Sequence, residues 1–145
     1  MRSMTEDRLR QFLLAVAGAM CLGTIAELGL TEHTGEPLQW APIVLSGLGL
    51  VTVVAFWLSP ASATAWALRL SMALLVAGAV IGVLAHISGN REFVLETRPQ
   101  ADFLSSIWLS LRSGAPALAP GILAVTASLA VAATYRHPVL TDRRA

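Results

Sequence analysis

Two histidines and six of the nine acidic residues of this 145-residue chain fall in or beside two short segments. Glu27, Glu32, His33 and Glu36 form the first group; His86, Glu92, Glu96 and Asp102 form the second. Imidazole nitrogens and carboxylate oxygens suit zinc or copper(II), which makes His33, His86, Glu27, Glu92 and Glu96 candidate metal ligands. His86 could equally serve as an axial ligand to haem, with Glu27 beside it. The spacing matches no established metal motif: HExxH is absent, and no two histidines stand four apart. Glu92 and Glu96 share a face only if that stretch is helical. Ser88, His86 and Glu92 can be drawn as nucleophile, base and acid, but no nucleophile elbow accompanies them. Enzyme activity is therefore not expected, and the simplest expectation is that no cofactor is bound.

The elements that must position these residues follow from composition. The chain is 55% hydrophobic and only 13% charged, with mean hydropathy +0.67. A soluble domain carries about 25% charged residues, so this is the composition of an integral membrane protein. A spanning helix needs roughly 20 mostly apolar residues. Four stretches qualify, at about 12–30, 40–58, 65–87 and 116–135. The expected fold is all-α, a single four-transmembrane-helix bundle in one domain of residues 1–145. Gly35 and Pro37 make the first turn, and Pro42 suits the first turn of the second helix. Ser59 and Pro60 end that helix, Ser88, Gly89 and Asn90 end the third, and Pro116 and Pro120 open the fourth. The arginines near the N-terminus resemble a signal peptide, but the apolar run to Leu30 is too long for one, so no cleavage is expected.

Orientation follows from the arginines, which supply all ten basic residues. Arg2, Arg8 and Arg10 lie in one tail, Arg69 beside the second connection, and Arg136, Arg143 and Arg144 in the other tail. The opposite face has Arg91, Arg98 and Arg112 and most of the acids. Positive charge stays inside, so both termini are expected in the cytoplasm of a bacterial inner membrane. Trp40, Trp57 and Trp66 near span ends fit an aromatic belt. Between the third and fourth spans, Phe103, Leu104, Ile107, Trp108 and Leu111 recur at helical spacing with Asp102 placed to cap. This predicts a short amphipathic helix over about 102–112, lying at the outer surface or folded over the bundle end.

Small residues let helices approach closely in lipid. Ala15, Ala19 and Gly23 step towards Glu27, and Gly78 and Gly82 step towards His86. The two stripes predict that Glu27 and His86 both point into the bundle, paired with each other or with Arg91. Arg69 is expected to snorkel to the inner headgroups, and His137 to anchor the helix end at the interface. Cys21, the single cysteine, excludes an internal disulfide and paired-thiol chemistry. No charged relay crosses the middle of the spans, which weighs against a small coupled transporter. Scattered basic residues exclude nucleic acid as a partner. The favoured reading is an accessory or structural subunit that contacts the lipid bilayer and other membrane subunits, or associates with itself. The alternative is a metal- or haem-binding membrane protein using His86, Glu27 and His33.

Three stretches carry a resemblance: GLTEHTGEPLQWAP at 29–42, AHISGNREFVLE at 85–96, and GAPALAPG with TYRHP at 114–121 and 134–138. Together they resemble small four-helix bacterial integral membrane proteins of uncharacterised function. The resemblance implies four spans and a bacterial inner membrane, and it implies no activity or catalytic residue.

Overall fold

A computed structural model describes residues 4–31, 35–112 and 114–141. Among these residues every regular element is helical. Helix α1 runs Met4–Leu30, and a 3-10 turn at Pro37–Gln39 leads into α2, Trp40–Leu58. Helix α3 runs Ser62–Thr97, α4 Phe103–Ser110, α5 Gly121–Ala133 and α6 Pro138–Thr141.

Three of these helices, α1, the turn with α2, and α3, are long and apolar enough to cross a bilayer. Their best windows have mean hydropathies of 1.9, 2.1 and 2.3, yet only 22–28% of each window is buried inside the fold. Leucine and valine side chains cover the outside: Leu70, Leu74, Val51 and Val54 are all exposed. Water would not tolerate so continuous an apolar surface, whereas hydrocarbon is its natural solvent. The chain is a membrane protein.

The long helices close into a ring with α5. Helix α1 packs against α2 and α5, and α3 packs against the same two from the other side. This places α1 and α3 diagonally across the bundle, the arrangement that short connections give in an up-and-down bundle. Close approach at the centre depends on Gly49 of α2. A Cβ there would lie 3.2 Å from Met72 Cε of α3 and 3.3 Å from Cys21 Sγ of α1. One turn further, Thr52 Oγ1 and Ser71 Oγ are hydrogen-bonded at 2.6 Å between α2 and α3. Such a bond contributes about 0.6 kcal/mol in a membrane bundle. The α2–α3 turn is tied by Thr64, whose hydroxyl accepts from Ala61 N at 3.0 Å and donates to Ser59 O at 2.7 Å.

Two helix boundaries differ from the sequence expectation. Helix α3 does not stop at Ser88–Asn90 but continues to Thr97, 36 residues in all. At 1.5 Å per residue it is about 54 Å long, far more than a bilayer core requires. The fourth apolar stretch is α-helical only over the 13 residues of α5. Its flanks are tighter turns: Ala119, Gly121, Ile122 and Leu123 donate to the carbonyls three residues before them. Proline explains this. Pro116 and Pro120 lack the N–H that an α-helix needs, and each disfavours helical backbone in the residue before it.

Helix α4 forms where expected. Asp102 caps it, with Oδ1 accepting from Ser105 N at 2.7 Å. Its orientation is the surprise. Ser106 and Ser110, both 0% exposed, face α3, whereas Phe103, Leu104 and Trp108 are 67%, 77% and 60% exposed. The small serines let α4 lie close along the C-terminal end of α3, and its apolar side is left facing away.

Candidate functional site

The end of the bundle where α3 terminates is organised by Asn90, not by Glu27 and His86. Asn90 sits on α3 at the level where α4 ends and the approach to α5 begins, and only 6% of it is exposed. Its Nδ2 donates to Ser110 O at 2.9 Å and to Ala115 O at 2.7 Å. Its Oδ1 accepts from Ala115 N at 3.0 Å. The side-chain amide thus satisfies both polar groups of one residue and a terminal carbonyl of α4. Backbone that leaves helical geometry near lipid needs such partners. Gly114 makes room for the arrangement: its φ is +74°, and a Cβ at that position would run into Asn90 Oδ1.

Arg91, the next residue, reaches α4 as well. Its Nε donates to Ser106 Oγ at 3.0 Å, and its guanidinium lies 5.4 Å from the Phe103 ring centroid. Arg112 lies 5.8 Å from the Trp108 ring. Arg91 thus braces α4 against α3, while Arg112 folds over a ring of its own segment; among the described residues neither forms an ion pair with Glu92, Glu96 or Asp102.

The expected pairing of Glu27 with His86 is not formed. Ala15, Ala19, Gly23 and Glu27 all lie on the exposed side of α1. The buried side is Leu14, Ala17, Gly18 and Cys21. Small residues occur on every face of this helix, so spacing alone could not choose between faces. Gly78 and Gly82 do face neighbours, Leu45 of α2 and Pro120 respectively. His86 is half-buried on α3, diagonally across from the helix of Glu27. Glu92 and Glu96 are on helical backbone and share a face, but both are exposed. Ser88 and His86 are two residues apart on one helix, which turns them to opposite sides. His33, with Glu32, lies outside the described residues. Among the described residues no three His, Cys, Asp or Glu side chains come together as a metal site.

The opposite end of the bundle carries a second cluster that sequence reasoning undervalued. Arg69 of α3 does not simply snorkel: Nε donates to Thr134 Oγ1 at 2.9 Å and Nη2 to Thr134 O at 3.3 Å. Arg10 of α1 donates to Tyr135 O at 3.3 Å. Two cations from two helices therefore meet the carbonyls at the C-terminal end of α5, where the helix dipole favours positive charge. Arg136, with φ +47°, turns the chain there. His137 folds back into the bundle instead of resting at the interface: it is 9% exposed, and its ring meets Phe56 edge-on at 5.1 Å. The signal available in the sequence was the run Thr134–Tyr135–Arg136–His137–Pro138, an apolar helix ending in hydrogen-bonding groups ahead of a proline.

No family model, no curated protein and no solved structure matches the chain.

Proposed function

We propose that this protein is a small accessory or structural subunit of a larger complex in a bacterial inner membrane. The observation that carries the reading is the orientation of α4. A helix that buries Ser106 and Ser110 and turns Phe103, Leu104 and Trp108 outward offers apolar surface to something other than its own bundle. Both polar clusters support the same view. Asn90 directs its side-chain amide at backbone, and Arg69 ties α3 to Thr134 at the end of α5, which is scaffolding chemistry.

In this reading the chain crosses four times. The α5 core spans only about 20 Å, but the tighter turns from Pro116 to Leu123 add length at about 2 Å per residue. Trp40 and Trp57 bracket α2 at about 26 Å, close to the hydrocarbon thickness. The arginine asymmetry supports both termini on the cytoplasmic side. Native purification from the source membrane in mild detergent tests the assignment. Co-elution with partner subunits, or as a defined self-assembly, is expected; a lone monomer would end the proposal. Gly35→Cys and Glu96→Cys, in a Cys21→Ser background, should label only from the outside. Labelling of either from the cytoplasm overturns the topology.

A further inference from the structure

We propose that the groove between α3 and α5 is a binding site for one anionic phospholipid, with its headgroup phosphate on Arg69. The groove is about 670 Å³ and opens to the outside of the bundle. Ala73 of α3 and Ala127, Ser128 and Ala132 of α5 line it. Met72 and Val76 of α3 and Val131 of α5 complete the lining. The trough is thus a consequence of small residues set between larger ones. Ser128 turns its hydroxyl proton back to its own helix, donating to Ala124 O at 2.8 Å.

Arg69 closes one end of the trough and makes it selective. A guanidinium has five N–H donors. Two are used on Thr134, which fixes the plane of the group, and Trp66 holds it from the side with the ring centroid 5.5 Å away. The remaining donors belong to a guanidinium that lines the trough. An immobilised fork beside an apolar channel matches a phosphate attached to an acyl chain, since guanidinium geometry favours two-point phosphate contact. Basic pockets between membrane helices bind lipid headgroups in this way. An anionic lipid uses both the cation and the trough. The site stands on the bundle alone, whether or not the protein proves to be a subunit of a complex.

The test is native mass spectrometry of the full chain from nanodiscs of equal phosphatidylglycerol and phosphatidylcholine. Wild type should retain one phosphatidylglycerol with about fivefold preference, the effect of one arginine near the headgroups. Arg69→Gln should abolish the preference. Because Arg69 also caps α5, the deciding variant is Ala132→Leu, which fills the trough and leaves Arg69 and Thr134 in place. It should lose the retained lipid while its thermal midpoint in lipid-free detergent stays at the wild-type value. Equal retention of both lipids by wild type overturns the proposal, as does undiminished phosphatidylglycerol retention by Ala132→Leu. A dimer that Ala132→Leu dissociates would assign the groove to a second copy of the chain. Inorganic phosphate that displaces the lipid's stabilising effect in full would show an anion site without a lipid.

Discussion

Asn90 binds Ala115 through both of that residue's backbone polar groups, with Nδ2 to the carbonyl at 2.7 Å and Oδ1 from the amide at 3.0 Å. One side-chain amide thus supplies the donor and the acceptor that Ala115 would otherwise find in two different peptide groups of a helix. It allows α4 and α5 to be two separate helices that together run back along one continuous α3.

Asn90→Leu removes three hydrogen bonds and leaves buried backbone groups unpaired. A loss of roughly 3 kcal/mol is expected, from about 1–3 kcal/mol per orphaned group with partial relief by water. Asn90→Asp should be worse at neutral pH, because a carboxylate would oppose the carbonyls of Ser110 and Ala115. Protonating that carboxyl restores one donor, so the Asp variant alone should gain stability on acidification. Thermal unfolding in mild detergent across pH, with wild type alongside, reads both effects. Equal midpoints for the Leu variant and wild type would show that the amide is not holding the break.

The same residue shows what was legible in the sequence and what was not. Ser88, Gly89 and Asn90 are poor helix formers, and locally they read as a stop. Hydrogen bonds from residues 110–115, remote in sequence, override that preference. The three long apolar helices and the Asp102 cap were legible, because hydropathy and capping are local properties. The facing of α1 and α4 was not. Alanine and serine pack against helices as readily as leucine does in lipid, so the apolar pattern no longer marks the inside.

Gly82 is the contact point between α3 and the start of α5. A Cβ there would sit 2.9 Å from Pro120 Cβ. Proline cannot rotate out of the way, so Gly82→Ala must push the helices apart. A cost of about 1–3 kcal/mol is expected from overpacking. Gly23→Ala, where a Cβ meets nothing within 4 Å, should be neutral or slightly stabilising through helix propensity. Comparing the two unfolding midpoints checks the packing without disturbing any polar group.

Asp102 gives α4 a pH dependence. The amide and hydroxyl of Ser105 hold its carboxyl below the usual carboxylate range. A group with a lowered folded pKa contributes stability above its unfolded value and loses it as pH falls through the folded one. The cap should therefore persist at neutral pH and weaken only below about pH 4. Hydrogen exchange at the Ser105 and Ser106 amides should quicken over that range. Asp102→Asn keeps an acceptor and cannot titrate, so its exchange should lack the acid step. An identical acid step in both proteins would place its origin elsewhere.

Glu27 and His86 provide the sharpest separation between spacing and structure. Both end a stripe of small residues, and spacing alone would put them in one interior site. Glu27 instead faces outward from α1, and His86 is half-buried on α3 across the bundle diagonal. Side chains without shared partners act independently on stability. The effects of Glu27→Gln and His86→Ala should add to within about 0.3–0.5 kcal/mol. A coupling above about 1 kcal/mol would require the two helices to bring these groups together, and would return the outer face to the cofactor reading. The Glu27→Gln change alone carries a second expectation. A carboxylate facing lipid is costly, so neutralising it should stabilise the isolated protein. If a partner subunit supplies the matching cation, the same change should weaken native co-purification while raising the thermal midpoint. Loss of stability in the isolated chain would mean that Glu27 is satisfied within its own bundle.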